Sequence, residues 1–208
     1  MFGSEKKLLL AMAVLFFGFA SNGWAMAVPT GTILATQGDA DGMAGRDWYS
    51  NPNYYWADSS SLTVNASHDG DNRQSLRGLV IIDISSLAGR TLDSVTFNFY
   101  SFGFSGVNLQ YAGGTGPVVT TAYAQTSGEQ IASLDSTVGW LSYDVTSYVQ
   151  SGIDGGLQNI GFVFNAANYG GGSLASAESG SAAYLNVVPE PATLCLLALG
   201  GFGLLRRK

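Results

Sequence analysis

One cysteine and one histidine occur in 208 residues, with five prolines and three lysines. A lone cysteine cannot close an intramolecular disulfide. A lone histidine excludes a multi-histidine metal site. Only 12% of the residues are charged against 46% hydrophobic, which is too little charge for a chain that fails to collapse. The net charge of −6 argues against recognition of nucleic acid, which requires clustered Lys and Arg. A long helical period is missing too, so a helix bundle is not expected. Abundance lies elsewhere, in 28 glycines and 12% aromatics. Glycine weakens helix interiors and aromatic residues suit strands.

Residues 1–27 read as a secretory signal peptide with a helical core. Lys6 and Lys7 precede the apolar run Leu8 to Ala20, and Ala25-Met26-Ala27 supplies a small-x-small cleavage pattern, with cutting after Ala27 or Ala25. The run has no polar face, and Val28-Pro29-Thr30 breaks it. At the other end, 14 apolar residues (192–205) form a short hydrophobic helix and are followed by Arg206-Arg207-Lys208. At ~1.5 Å per residue such a helix reaches ~21 Å, short of the ~30 Å hydrocarbon layer, so it suits a transient inner-membrane anchor with its cations on the cytoplasmic side. Cys195 within it reads as a small apolar filler.

Pro189-Glu190-Pro191, the short apolar segment and the ending that contains Arg206 and Arg207 resemble the PEP-CTERM sorting signal of Gram-negative bacteria. The resemblance implies export through the secretion machinery and recognition by an exosortase, a membrane protease-transpeptidase that removes the tail. It further implies a destination at the cell surface or in an extracellular polysaccharide matrix.

Between these ends, residues 28–187 form the expected single domain, with 188–208 as the sorting segment. Thirteen carboxylates in the domain face four arginines (Arg46, Arg73, Arg77, Arg90) and no lysine, a net charge of −9. That balance favours solubility and divalent cations over anionic polymers. The pattern predicts nine short strands: 31–36, 61–65, 79–82, 92–102, 107–111, 118–125, 140–145, 159–165 and 183–188. Leu79-Val80-Ile81-Ile82 suits a strand buried on both faces. Val95, Phe97 and Phe99 alternate with Thr96, Asn98 and Tyr100 on opposite faces. Residues 144–150 admit one helical turn, with Asp144 or Thr146 as its cap, and Gly170-Gly171-Gly172 reads as a flexible loop. These elements predict an all-β, jelly-roll-like β-sandwich.

A second resemblance covers most of this domain. Arg77 to Leu87, the strand from Leu92 to Tyr100, Trp140 with Asp144 to Val149, and Ala177-Glu178-Ser179 are similar to segments of DNRLRE-type domains. Ile82 departs from that pattern, in which Phe is usual, and the closing strand lacks the usual preceding Pro. The resemblance implies a jelly-roll sandwich serving as a carbohydrate-binding or surface module.

Three constellations could carry chemistry. Trp48, Tyr49, Tyr54, Tyr55 and Trp56 crowd a segment of Asn, Pro and Ser that reads as a surface loop, where flat rings could stack on sugars; the same rings could instead cap the sandwich as a satellite core. Asp39 and Asp41, flanked by glycine, offer hard oxygen ligands for Ca²⁺, and Asp69 and Asp71 repeat the spacing beside His68, though neither turn has a full EF-hand loop. No other cofactor is expected. The tools for catalysis are thin. His68 is the one candidate imidazole base and no G-x-S-x-G elbow is present. Glu129 and Glu178 are the only glutamates in the domain, and as a pair they are the alternative expectation, a glycan-degrading enzyme of the cell surface. The favoured expectation is an exported, non-catalytic carbohydrate-binding or structural module.

Overall fold

The computed structural model describes residues 32–36, 40–47, 51–56, 61–69, 72–114 and 128–190. The signal helix, the C-terminal apolar helix with Arg206 and Arg207, and the strand expected at 118–125 lie outside the described residues. Among those described, no helix is long and apolar enough to cross a membrane.

The chain is mostly strand. In order come β1 (Thr32–Ala35), β2 (Asp41–Asp47), β3 (Asn51–Trp56), β4 (Ser61–Asp69), β5 (Asn72–Asp83), β6 (Leu92–Gly114), β7 (Glu129–Leu134) and β8 (Val138–Asp144). The helix α1 (Thr146–Asp154), β9 (Asn159–Ala175) and β10 (Tyr184–Pro189) complete it. Antiparallel pairings join the strands in the order β1-β10-β6-β9-β4-β5-β2-β3, with β7 and β8 also on β6 and β5 also on β9. Five strands close a barrel and the remainder extend it. Closure removes sheet edges that would otherwise present unpaired N–H and C=O groups.

Alternation places the core. Val95, Phe97 and Phe99 of β6 are fully buried while Thr96, Asn98 and Tyr100 face outward. Phe97 stacks on Phe162 at a centroid distance of 4.1 Å, and Phe99 meets Phe164 edge-on at 4.9 Å. β5 is buried on both faces as its unbroken apolar run requires: Val80 and Ile82 join the main core, whereas Leu79 and Ile81 pack with Val163 in a second cluster. The helical turn expected after β8 extends to the nine residues of α1, which buries Val149, Gly152 and Ile153. The cap is neither Asp144 nor Thr146 but Val145, which makes no side-chain cap bond; Asp144 Oδ1 accepts the N–H of Thr146, the first helical residue, at 2.9 Å.

Several local expectations are corrected. The segments 92–102 and 107–111 are one 23-residue strand, bent by register shifts between Ser101 and Phe104, between Ser105 and Val107, and between Tyr111 and Gly113. Gly170-Gly171-Gly172 is no loop but part of β9, with Gly171 and Gly172 paired to β4 on one side and β6 on the other. Gly172 has φ +155°, and a Cβ there would collide with the Gly103 carbonyl and the Phe104 ring. Glycine is therefore needed where β6 and β9 bend past each other. Asp41 and Gly42, which belong to a turn by their glycine-flanked setting, and 51–56, which looks like loop in sequence, lie in the strands β2 and β3.

Candidate functional site

The sequence-derived candidates separate in space. Asp39, Trp48 and Tyr49 lie outside the described residues. Tyr54, Tyr55 and Trp56 belong to β3, at the end of the strand order, where they pair with Gly45, Ala44 and Met43. The surface loop expected there is thus, from Asn51 onward, an edge strand. Two-stranded pairing supplies the backbone partners that a loop would have sought in water.

Asp41 is not an open turn ligand. It begins β2 and is 1% exposed. Its Oδ2 accepts the Ala177 N–H at 2.7 Å, tying β2 to the 3₁₀ turn Ala177–Ser179 ahead of β10. Its Oδ1 has no partner among the described residues. Burial raises its pKa from 3.8 to about 7, an effect that the Ala177 hydrogen bond opposes and the Glu178 charge reinforces. Among the described residues no group of three or more His, Cys, Asp or Glu side chains could hold a metal ion.

The two glutamates have different neighbours. Glu129 opens β7 opposite Tyr111 and bonds with Tyr148, whose hydroxyl is pushed up by desolvation first and by Glu129 second. Glu178 sits in the 3₁₀ turn beside Asp41. His68 is in β4, in register with Arg73.

The sheet assembles a site that sequence reading had divided among three strands. On the outward face of β10, β6 and β8, Tyr100 stands opposite Trp140, Phe102 opposite Val138 and Tyr184 opposite Asn98. Tyr100 meets Trp140 at 5.8 Å and Phe102 at 5.4 Å, and Trp140 meets Tyr184 at 5.5 Å. The four rings form a connected ladder in which Trp140 (52% exposed) and Phe102 (49%) are open to solvent and Tyr100 and Tyr184 are half-buried beside them. Adjacent rows on the same strands carry Thr96, Asn98, Ser142 and Asn186. Asn98 Nδ2 donates to the Thr96 carbonyl at 3.0 Å, which anchors that side chain between the rings and the polar rows. No Lys or Arg occurs in β1, β6, β8 or β10.

This arrangement is a rigid apolar platform bordered by hydroxyls and carboxamides. Regular strands hold the rings, so little rotamer freedom remains to be lost on binding. A cavity of about 400 Å³ near β1 is lined by Ile33, Leu34, Ile81, Asp83, Ser85 and Asn159, with no aromatic ring among the described residues that line it. The ladder is therefore the better surface for stacking. The alliance of Trp140 with Tyr184, 44 positions later in sequence, was not legible in the sequence.

Pro189 and Glu190 mark the junction with the sorting segment. Pro189 closes β10 in register with Leu92, and the Glu190 N–H donates to the Thr91 carbonyl at 3.2 Å. Pro191 lies outside the described residues. Residues 187–208 match the PEP-CTERM protein-sorting motif. No curated protein matches the chain. The motif makes this an exported protein of Gram-negative type, sorted to the cell surface with an exosortase as its processing partner.

Proposed function

We propose that the domain is a non-catalytic module of the cell surface or extracellular matrix that binds uncharged stretches of extracellular polysaccharide on the Tyr100-Phe102-Trp140-Tyr184 face. The exposed ring ladder is the observation that carries this reading. Pyranose rings present apolar C–H faces that stack on aromatic rings, while their hydroxyls seek amides and hydroxyls of the kind set beside the ladder. Missing cations on these strands and the acidity of the domain favour a neutral chain over an anionic one.

The DNRLRE-type resemblance supports the same reading, with a jelly-roll ancestry for the strands. Its segments fall on structural joints: Arg77 to Leu87 covers the end of β5 and the 3₁₀ turn Ser85–Leu87, and Asp144 to Val149 the start of α1. The aromatic segment containing Trp48, Tyr49, Tyr54, Tyr55 and Trp56 is a second candidate surface for the same ligand.

The test is binding of the processed protein to polysaccharide from its own strain, in parallel with neutral and anionic glycans. Trp140→Ala is expected to weaken binding about 30-fold, as truncation of a central aromatic anchor costs about 2 kcal/mol, with little change in melting temperature because the ring is half exposed. Absence of binding to the native polysaccharide, or binding indifferent to Trp140→Ala, refutes the assignment. Release of reducing ends, lost in a Glu129 or Glu178 variant, would replace it with the hydrolase alternative.

A further inference from the structure

The strand register at the C-terminal junction restricts where the sorting tail can be cut. We infer that the scissile bond is Glu190–Pro191 or lies beyond it, so that Pro189 and Glu190 stay on the domain as part of its last strand. This rests on the exosortase-sorted reading above.

β10 is an interior strand, flanked by β1 and β6. Val187 is paired with Thr32 on one side and Val95 on the other, and it is fully buried. Val188 pairs with Ser94, and after a one-step bulge Pro189 pairs with Leu92. The next N–H, that of Glu190, is held by Thr91. Proteases and other peptide-reading proteins commonly take an extended segment by adding it as a strand, which requires a free edge. Tyr184 to Val187 lack one, since β1 and β6 hold both sides and freeing them would pull Leu185 and Val187 out of the core. Val188 to Glu190 stay tied to Ser94, Leu92 and Thr91 on the β6 side and must be peeled from it before they can be read. Part of the matched motif, 187–189, is thus strand as well as signal.

In the processing step the carbonyl carbon on the domain side exchanges the tail's nitrogen for a nucleophile, water or an acceptor amine. The tail leaves with a new amino terminus and the displaced proton ends on it. The retained end then sits at the Leu92 end of β6, whereas the ring ladder begins at Tyr184, five residues up β10 and about 17 Å away. A domain cut at Glu190–Pro191 and joined there to its acceptor presents the ladder away from the attachment point.

Intact mass and C-terminal peptide sequencing of the native protein, from envelope and medium, test this. A terminal domain residue at Glu190 or later supports the inference; a terminus at Pro189 or earlier overturns it. Chains that retain residues 191–208 in every fraction overturn the sorting reading itself, a distinct result. Backbone hydrogen exchange on the full chain gives a second readout. The Glu190 amide is expected to exchange as slowly as those of β10, and free exchange at Glu190 beside a protected Val187 would overturn the junction independently of any protease.

Discussion

Replacing Asp41 with Asn separates the charge of this carboxyl from its shape. In the folded protein Asp41 holds its proton up to about pH 7, against 3.8 for the free group, because burial disfavours the anion. Between these values the unfolded chain has released a proton that the folded chain keeps. The contribution of Asp41 to stability is therefore fully present below pH 4, is lost as pH rises through the window from about 4 to 7, and is absent above it. At 1.36 kcal/mol per pH unit the ceiling is about 4 kcal/mol, reduced in practice by relaxation and water penetration. Asn keeps an oxygen for the Ala177 N–H, which Asp41 accepts at 2.7 Å, and cannot ionise. At pH 8, Asp41→Asn should melt about 5–10 °C above the native protein, given 2–4 °C per kcal/mol at this size, and at pH 4 the two should coincide. Circular dichroism melts from pH 4 to 9 measure the difference. A native melting temperature that is flat or rising between pH 5 and 8, or an Asn variant less stable at pH 8, refutes the reasoning. The capped carboxylates do not mask the effect. Asp135 and Asp144 are lowered by hydrogen bonds from Thr137 and Thr146, so their stabilisation is present above 3.8 and is lost only as pH falls further.

Two further substitutions probe the frame that carries the ring ladder. Gly172→Ala places a methyl group against the Gly103 carbonyl and Phe104, and should destabilise by about 2–4 kcal/mol in chemical denaturation; a loss under 0.5 kcal/mol would show that β6 and β9 do not cross so closely. Thr146→Val removes the hydroxyl that accepts the Val95 N–H at 2.8 Å and donates to Asp144 at 2.6 Å, and should cost about 1–3 kcal/mol. It should also bring the Asp144 pKa, followed by NMR titration, back toward its ordinary value; an unmoved Asp144 would refute the cap.

Much of the architecture was legible in the sequence. Phe97, Phe99 and the Leu79 to Ile82 run show their burial by period alone, since a strand alternates faces whatever it pairs with. The C-terminal address is also a local pattern, and it is matched as such. The misreadings have a common cause. Gly170 to Gly172, Asp41-Gly42 and Asn51 to Trp56 are rich in turn-forming residues, and local propensity assigns them to loops. They become strands because neighbours far along the chain supply the hydrogen bonds. Asp41 shows the same limit at a single side chain: its glycine-flanked setting suggests a solvated turn, but Ala177, 136 residues away, closes over it.

The amino-acid order alone determined export, sorting, strand content and the apolar stripe that became the core, because each depends on residues within a few positions of one another. Tertiary structure decided the rest. Only register between distant strands could bring Tyr100, Phe102, Trp140 and Tyr184 into one exposed ladder, bury Asp41, and build the first residues of the sorting motif into the sheet. Pairing partners are chosen by the closure of the whole barrel, and no short window of sequence contains that information.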